Sequence, residues 1–257
     1  MALQRFVALF DVHFGYERRG GHKVSLHAPE AVAATLKFIR DFQPHHTILG
    51  GDILDCGAVS HHNHGKPGMT EGLRLRSDAV ECRKALIEPI EDATRNRLVY
   101  HIGNHEDWLS DLSDAQPALE GLVDVQAILK LGKRWEIIPQ GEHSRIGKLL
   151  FIHGDQIKAS TNPAKWAVEA YEKNIRLGHF HTFQTYTKTS AVADNGHTGT
   201  VVPCLCKQNP RYNEGAPNKW MQGFLYGWVA DDGIFSDNVA VIVNGKFIAL
   251  GKEYNGN

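Results

Sequence analysis

Phe6-Val7-Ala8-Leu9-Phe10-Asp11-Val12-His13 is the stretch on which the reading of this chain turns. Five apolar residues in a row, bounded by a carboxylate, have the length and composition of a strand covered on both faces, with Asp11 at its carboxyl end. The same arrangement returns four times. Residues 47–49 run into Gly51-Asp52-Ile53-Leu54-Asp55, residues 98–102 into Gly103-Asn104-His105-Glu106, residues 148–152 into His153-Gly154-Asp155, and residues 175–177 into Gly178-His179-Phe180-His181. Loops at the carboxyl ends of strands are where layered folds gather functional groups, because the scaffold holds several loops around one crevice.

Between these strands the period changes to that of helices. Residues 29–42 carry apolar side chains at Ala31, Ala34, Leu36, Phe38, Ile39 and Phe42, with Pro29 suited to a first helical turn. A second helix is expected over 73–95, kinked or divided by Pro89, and a third over 114–131 with a break near Pro117. Residues 135–138 read as a strand and 162–174 as a helix. From residue 185 onward the pattern is of strands without helices between them, at 185–191, 200–202, 224–229 and 239–243. Asn244-Gly245 before residues 246–250 is a hairpin turn of the type that needs positive φ at both central positions. Residues 57–72 and 207–223 are the least regular.

The chain has 257 residues, 42% hydrophobic and 22% charged, which suits a folded globular protein, and residues 1–257 are expected to form a single domain. A net charge of −1 provides no global attraction for nucleic acid or anionic membrane. Cys56, Cys82, Cys204 and Cys206 are too few and too unevenly spaced for a disulfide framework and read as reduced structural residues. Neither a secretory leader nor a run of about 20 apolar residues is seen, so a cytoplasmic location with no membrane association is expected.

The residue types in the five loops are those of metal ligands. Mixed imidazole and carboxylate donors suit divalent transition metals, and Asp11, His13, Asp52, Asn104, His153, His179 and His181 suffice for two ions if one carboxylate is shared. Two cations about 3.5–4 Å apart can clamp the oxygens of a phosphoester and lower the pKa of bound water. Each residue has a plainer reading. A single histidine after a strand is usually a hydrogen-bonded structural residue, Asp55 can cap a turn, and Glu106 and Asp155 can be loop charges or acceptors behind the site. The co-occurrence of five motifs favours the metal reading over these.

In this order, D-x-H, GD-x-x-D, GNHE, a later histidine and GHxH, the motifs over residues 11–181 resemble those of the calcineurin-like metallophosphoesterases. The resemblance implies an α/β fold, a four-layer α/β/β/α sandwich of two mixed sheets. It implies that Asp11, His13 and His181 hold a first metal, that Asp52 bridges, and that Asn104, His153 and His179 hold a second. It further implies that metal-bound hydroxide attacks phosphorus while His105 assists the leaving oxygen and Asp55 orients His105. Mn is the default metal, with Fe, Zn, Ni or Mg as alternatives. The expected partner is a phosphoester substrate, which includes nucleic acid or a nucleotide. A phosphodiesterase or nuclease is the leading expectation and a phosphomonoesterase the alternative.

Departures from the pattern bear on substrate. Cys56 stands where the protein phosphatase branch carries a phosphate-gripping arginine, which weakens the case for a phosphoprotein substrate. Asp55 stands where the double-strand-break repair nucleases carry histidine. Overall size, Asp55-Cys56-Gly57 and the tail with Trp220 and Trp228 look similar to compact phage and prophage members. Among the remaining features, His61, His62 and His64 read as a solvated loop or as substrate contacts. Arg74, Arg76, Arg83 and Lys84 read as a solvated helix face or a basic patch. Trp220, Phe224, Tyr226 and Trp228 read as strand core or as a stacking surface for bases.

Overall fold

The computed structural model describes residues 3–257 apart from 64, 159, 160, 193–195 and 216. Two mixed sheets face each other. The first has six strands in the order Phe235–Ile242, Gln222–Val229, Gln4–Leu9, His46–Leu49, Arg97–His101 and Trp135–Ile138. Its last four strands run parallel and its first three antiparallel. The second sheet orders Gln184–Lys188, His197–Val201, Asn174–Leu177, Leu149–Ile152 and Ser144–Ile146, with the middle three parallel.

Period-two alternation along the strand that begins at Gln4 assigns each side chain to a layer. Phe6, Ala8 and Phe10 enter the core between the sheets with Ile48, Val99, Leu149, Phe151 and Val202, and Phe6 meets Phe151 edge to face at 6.0 Å. Val7 and Leu9 point the other way, into a core shared with helix Pro29–Phe42 and the helical run beginning at Leu75. On the far side, Leu150, Ile152, Ile175 and Leu177 pack on Ala164, Ala167 and Val168 of helix Pro163–Tyr171. Helix, sheet, sheet, helix is the α/β/β/α order expected from the motifs.

The first helix has the bounds read from its periodicity. The second runs through Pro89, as Leu75–Cys82 in α form, Arg83–Ile87 in π form and Glu88–Ala93 in α form again. Proline donates no hydrogen bond and its ring collides with the carbonyl four residues earlier; widening the preceding turn removes that collision and keeps the axis continuous. The third helix is a correction: it spans Asn104–Ala115, ten residues ahead of the expected 114–131, where there is a 3-10 turn at Pro117–Leu119 and a short helix Val125–Ile128. The GNHE motif is therefore a helix start, with Glu106 in its first turn.

Two hairpins went unread. Tyr16–Arg19 pairs with His22–Ser25 across Gly20-Gly21, and Lys246–Ala249 with Lys252–Asn255 across Leu250-Gly251. The expected turn at Asn244-Gly245 forms, with φ of 50° and 72° and reciprocal hydrogen bonds between Val243 and Lys246. Among the described residues no helix is long and apolar enough to cross a membrane, and all four cysteines are free and buried.

Candidate metal centre

Parallel pairing puts the motifs side by side. Gln4–Leu9, His46–Leu49 and Arg97–His101 are neighbours pointing the same way, so Asp11, Asp52 and Asn104 leave one edge of the first sheet together. Leu149–Ile152 and Asn174–Leu177 do the same in the second sheet for His153, His179 and His181. Asp11, His13, Asp52, His153 and His181 are buried, each at 4% exposure or less.

The backbone is bent to aim them. Asp11, His13, Asp52, His179 and His181 stand at φ of 50°, 47°, 51°, 66° and 57°. A non-glycine residue there costs on the order of 1 kcal/mol, and such strain concentrates at functional sites. Cross-links between loops offset it: Asp11 N donates to Gly51 O at 3.1 Å, His13 N to Asp52 O at 2.9 Å, and Met221 N to His181 O at 2.8 Å. Glycines admit close approach. A Cβ on Gly51 would lie 2.5 Å from the His153 ring, and one on Gly103 2.3 Å from Asp52 Oδ1.

Glu106 organises the Asp52 loop, a role that its sequence context left open. Its Oε2 accepts from Asp52 N at 2.9 Å and Gly103 N at 3.0 Å, while Oε1 accepts from Ile53 N at 2.7 Å, Leu54 N at 2.9 Å and the Tyr100 hydroxyl at 2.9 Å. Burial and the Asp52 charge push its carboxyl up, and these donors oppose them. Asp155 is half-buried and accepts from Gln140 Nε2 at 2.7 Å; it makes no hydrogen bond to the Asp52 loop, but its charge favours the protonated forms of His153 and His179.

Hydrogen-bond partners fix the tautomers of His153 and His13, and these leave imidazole lone pairs facing other acceptors. His153 Nδ1 donates to the Gly50 carbonyl at 3.0 Å, so its Nε2 turns a lone pair to Asp52 Oδ2 at 3.3 Å and Asn104 Oδ1 at 3.1 Å. His13 Nδ1 donates to Asp55 Oδ1 at 3.1 Å, and its Nε2 meets His181 Nε2 at 3.3 Å. His181 Nε2 is also 3.4 Å from Asp11 Oδ1. Only a proton or a cation makes such groupings stable. Without a cation, the Asp52 and Asp11 carboxylates outweigh burial and push His153 up to about 10. Asp52 is held well below the carboxylate range because His153, His105 and His13 outweigh its burial.

Of four sets of atoms close enough to surround one ion, one is His13, Asp55 and His105, and two meet at Asp52: Asp11, His13 and Asp52, and Asp52, His153 and His179. Asp52 belongs to both. Asn104 adds its amide oxygen to the second set through its 3.1 Å approach to His153. The donor set therefore fits a pair of divalent transition metals. His181 also falls with His13 and Cys206, whose sulfur is 3.6 Å from His181 Nδ1. The C-x-C spacing, which suggests only a structural residue, carries no sign of this contact.

His105 lies beside the two sets. Its Nδ1 donates to the Asp55 carbonyl at 2.8 Å, its Nε2 is 4.0 Å from Asp52 Oδ2, and its ring leans on Trp108 at a tilt of 37° with centroids 4.2 Å apart. Against burial, Asp52 and Asp55 push it up to about 10. The Asp55 carboxylate lies nearer His13 than His105, 3.1 Å against 3.4 Å, and also accepts from Gly57 N. It therefore combines the turn-capping and histidine-orienting readings.

A cleft of about 480 Å³ opens over these groups, lined on its walls by His62, Met69, Trp108, Tyr212 and Trp220. Of the histidine-rich loop, His62 reaches the cleft, His61 lies 3.7 Å from Asp111, and His64 lies outside the described residues. Phe224, Tyr226 and Trp228 pack in the helix-facing core, leaving Trp220 alone of that group at the cleft. Arg83 is engaged by Glu88 and Glu91 rather than free on a basic face.

No protein-family model matches the chain. It is 21% identical to the gene 54 protein of Mycobacterium phage L5 over 263 residues, covering 97% of this chain and 98% of that one. Among solved structures it is similar to Vps29 of Chaetomium thermophilum, with a TM-score of 0.40 and 9% identity over 99% of this chain and 100% of that one. It is similar also to the purple acid phosphatase PPD1 of yellow lupin, with a TM-score of 0.40 and 13% identity over 99% of this chain and 53% of that one. The layering and the donor sets described above rest on this chain's own packing and hydrogen bonds.

Proposed function

We propose that the protein is a metal-dependent phosphoester hydrolase of the calcineurin-like kind, with phosphodiesters as its preferred substrates. The observation that carries this reading is the convergence in one buried cluster of the His13 and His153 Nε2 lone pairs, the Asn104 amide oxygen and the Asp11 and Asp52 carboxylates, whose backbone donors, His179 N and His105 N, leave the imidazole lone pairs facing acceptors. Asp11, His13 and His181 would hold one cation and Asn104, His153 and His179 the other, with Asp52 between them. Two divalent cations supply Lewis acidity and positive charge for the phosphoryl oxygens; Mn is the first to test.

The chain's own groups do the rest. His105, fixed through Nδ1 to the Asp55 carbonyl, keeps Nε2 toward the cleft as a proton donor for the departing oxygen. Asp55 holds His13 in the tautomer that leaves Nε2 free. No lysine or arginine side chain lines the cleft among the described residues, and Cys56 is buried. A singly charged diester suits that lining better than a doubly charged monoester does.

The test is hydrolysis of a chromogenic phosphodiester and the matching monoester with Mn present, with Asp52→Asn as the control for contaminating activity. A faster diester supports the reading and a faster monoester replaces it with a phosphomonoesterase. Two bound metals with no hydrolysis of either would overturn it.

A further inference from the structure

The floor of the cleft is a run of aromatic rings centred on the metal ligands. Starting from His13, one arm passes to His105 at 4.5 Å between centroids and on to Trp108 at 4.2 Å; the other passes to His181 at 5.1 Å and on to Trp220 at 4.1 Å. Tyr212 extends the second arm, 6.3 Å beyond Trp220, and is 61% exposed. Trp108 and Trp220 are half-buried, and both line the cleft. Two indoles thus stand at the ends of two separate ring chains in one cleft, each two ring contacts from His13.

Two separate aromatic arms match the shape of a diester. Its phosphorus carries two organic arms that leave in different directions, so a phosphate seated at Asp52 sends one arm toward each indole. An indole face favours a flat π-system, and a base stacked on an aromatic side chain gains binding without regard to sequence. A cleft lined by no lysine or arginine side chain among the described residues argues for a short contact rather than a long polyanion track. Arg18 is paired with Glu71 at 3.2 Å and Arg19 with Glu17 at 3.2 Å. Duplex DNA or RNA keeps its bases stacked on one another and offers no free face to either tryptophan.

We infer that the cleft is a two-base subsite for single-stranded nucleic acid, in which the bases flanking one internucleotide phosphate stack on Trp108 and on Trp220. The inference rests on the phosphodiesterase reading for what happens next: the oxygen of water joins phosphorus and gives up a proton to solvent, one P–O bond breaks, and the departing sugar oxygen takes a proton from His105 and leaves as a hydroxyl.

The experiment uses the Mn-loaded protein and thymidylyl-thymidine, with analogues lacking one or both bases. Binding is read from quenching of tryptophan fluorescence and turnover from product release. Loss of either base should weaken binding about five- to a hundredfold. Trp220→Leu should abolish the dependence on one of the two bases and Trp108→Leu on the other, with Trp→Phe restoring most of each. Equal binding of the dinucleoside and the doubly abasic analogue would overturn the subsite, as would tighter binding of a duplex than of its single strand. Base-dependent quenching without turnover would leave the subsite standing and remove the hydrolase. Equal turnover with and without bases would do the reverse.

Discussion

Replacing Glu106 by Gln isolates the carboxylate that shapes the Asp52 loop. The change preserves shape and removes one acceptor oxygen. In the folded protein Oε1 takes two amide protons and a phenol proton and Oε2 takes two amide protons, from Asp52 and Gly103. The new NH2 group will occupy the Oε2 side, where it meets the fewer donors, and will set its hydrogens against those of Asp52 and Gly103. Each buried donor left without an acceptor costs about 1–3 kcal/mol, so the loss is about 4 kcal/mol before relaxation, a large part of a typical folding stability of about 5–15 kcal/mol. Because Asp52 is one of the two residues released, metal affinity should fall about 10- to 100-fold as well. Urea denaturation of the metal-free protein reads the first effect and metal titration the second. Glu120→Gln, at an exposed acid whose carboxylate makes no hydrogen bond or ion pair among the described residues, serves as the comparison and should change stability by less than about 0.5 kcal/mol. A Glu106→Gln protein within about 1 kcal/mol of wild type, with unchanged metal affinity, would refute the clamp.

His105→Ala should lower turnover about 100- to 10,000-fold and leave two metals per chain by elemental analysis; loss of metal would reassign His105 as a ligand. Burial of His27, which stacks on Phe14 at 4.0 Å, pushes it down to about 4. The unfolded chain takes its proton near pH 6.5 and the folded protein not until about 4, so stability should fall as pH drops through that window, by about 3 kcal/mol in all. His27→Phe should make the acid limb of a stability-against-pH curve shallower by one proton; an unchanged limb would count against it. Buried Arg176 reaches Asp237 across the sheets, its Nη2 donating at 2.9 Å. Asp237→Ala should therefore destabilise by about 3–5 kcal/mol in thermal or urea unfolding, and a loss under about 1 kcal/mol would mean that water replaces the carboxylate.

Sequence alone determined the five strands that precede the motifs and the identity of the groups at their ends. FVALF, the helix at Pro29–Phe42 and the turn at Asn244-Gly245 are legible because each is specified by neighbours within a few residues: a buried run, a 3.6-residue stripe, a pair of residues that tolerate positive φ. The helix at Asn104–Ala115 was misplaced for the opposite reason. Its first turn contains Asn104, His105, Glu106 and Asp107, a polar set with little apolar periodicity, and what holds it is Glu106 reaching Asp52, Ile53 and Leu54, some fifty residues earlier in the chain. The continuity of the helix through Pro89 depends on a widened turn that no local propensity signals. Tertiary structure alone decided that Cys206 lies against His181, that Asp55 serves His13 more closely than His105, and that Trp220 faces the cleft while Phe224 and Tyr226 fill the core. In each case the partner comes from a distant strand or loop, and its approach is set by parallel pairing and sheet-on-sheet packing. Spacing along the chain carries no record of that approach.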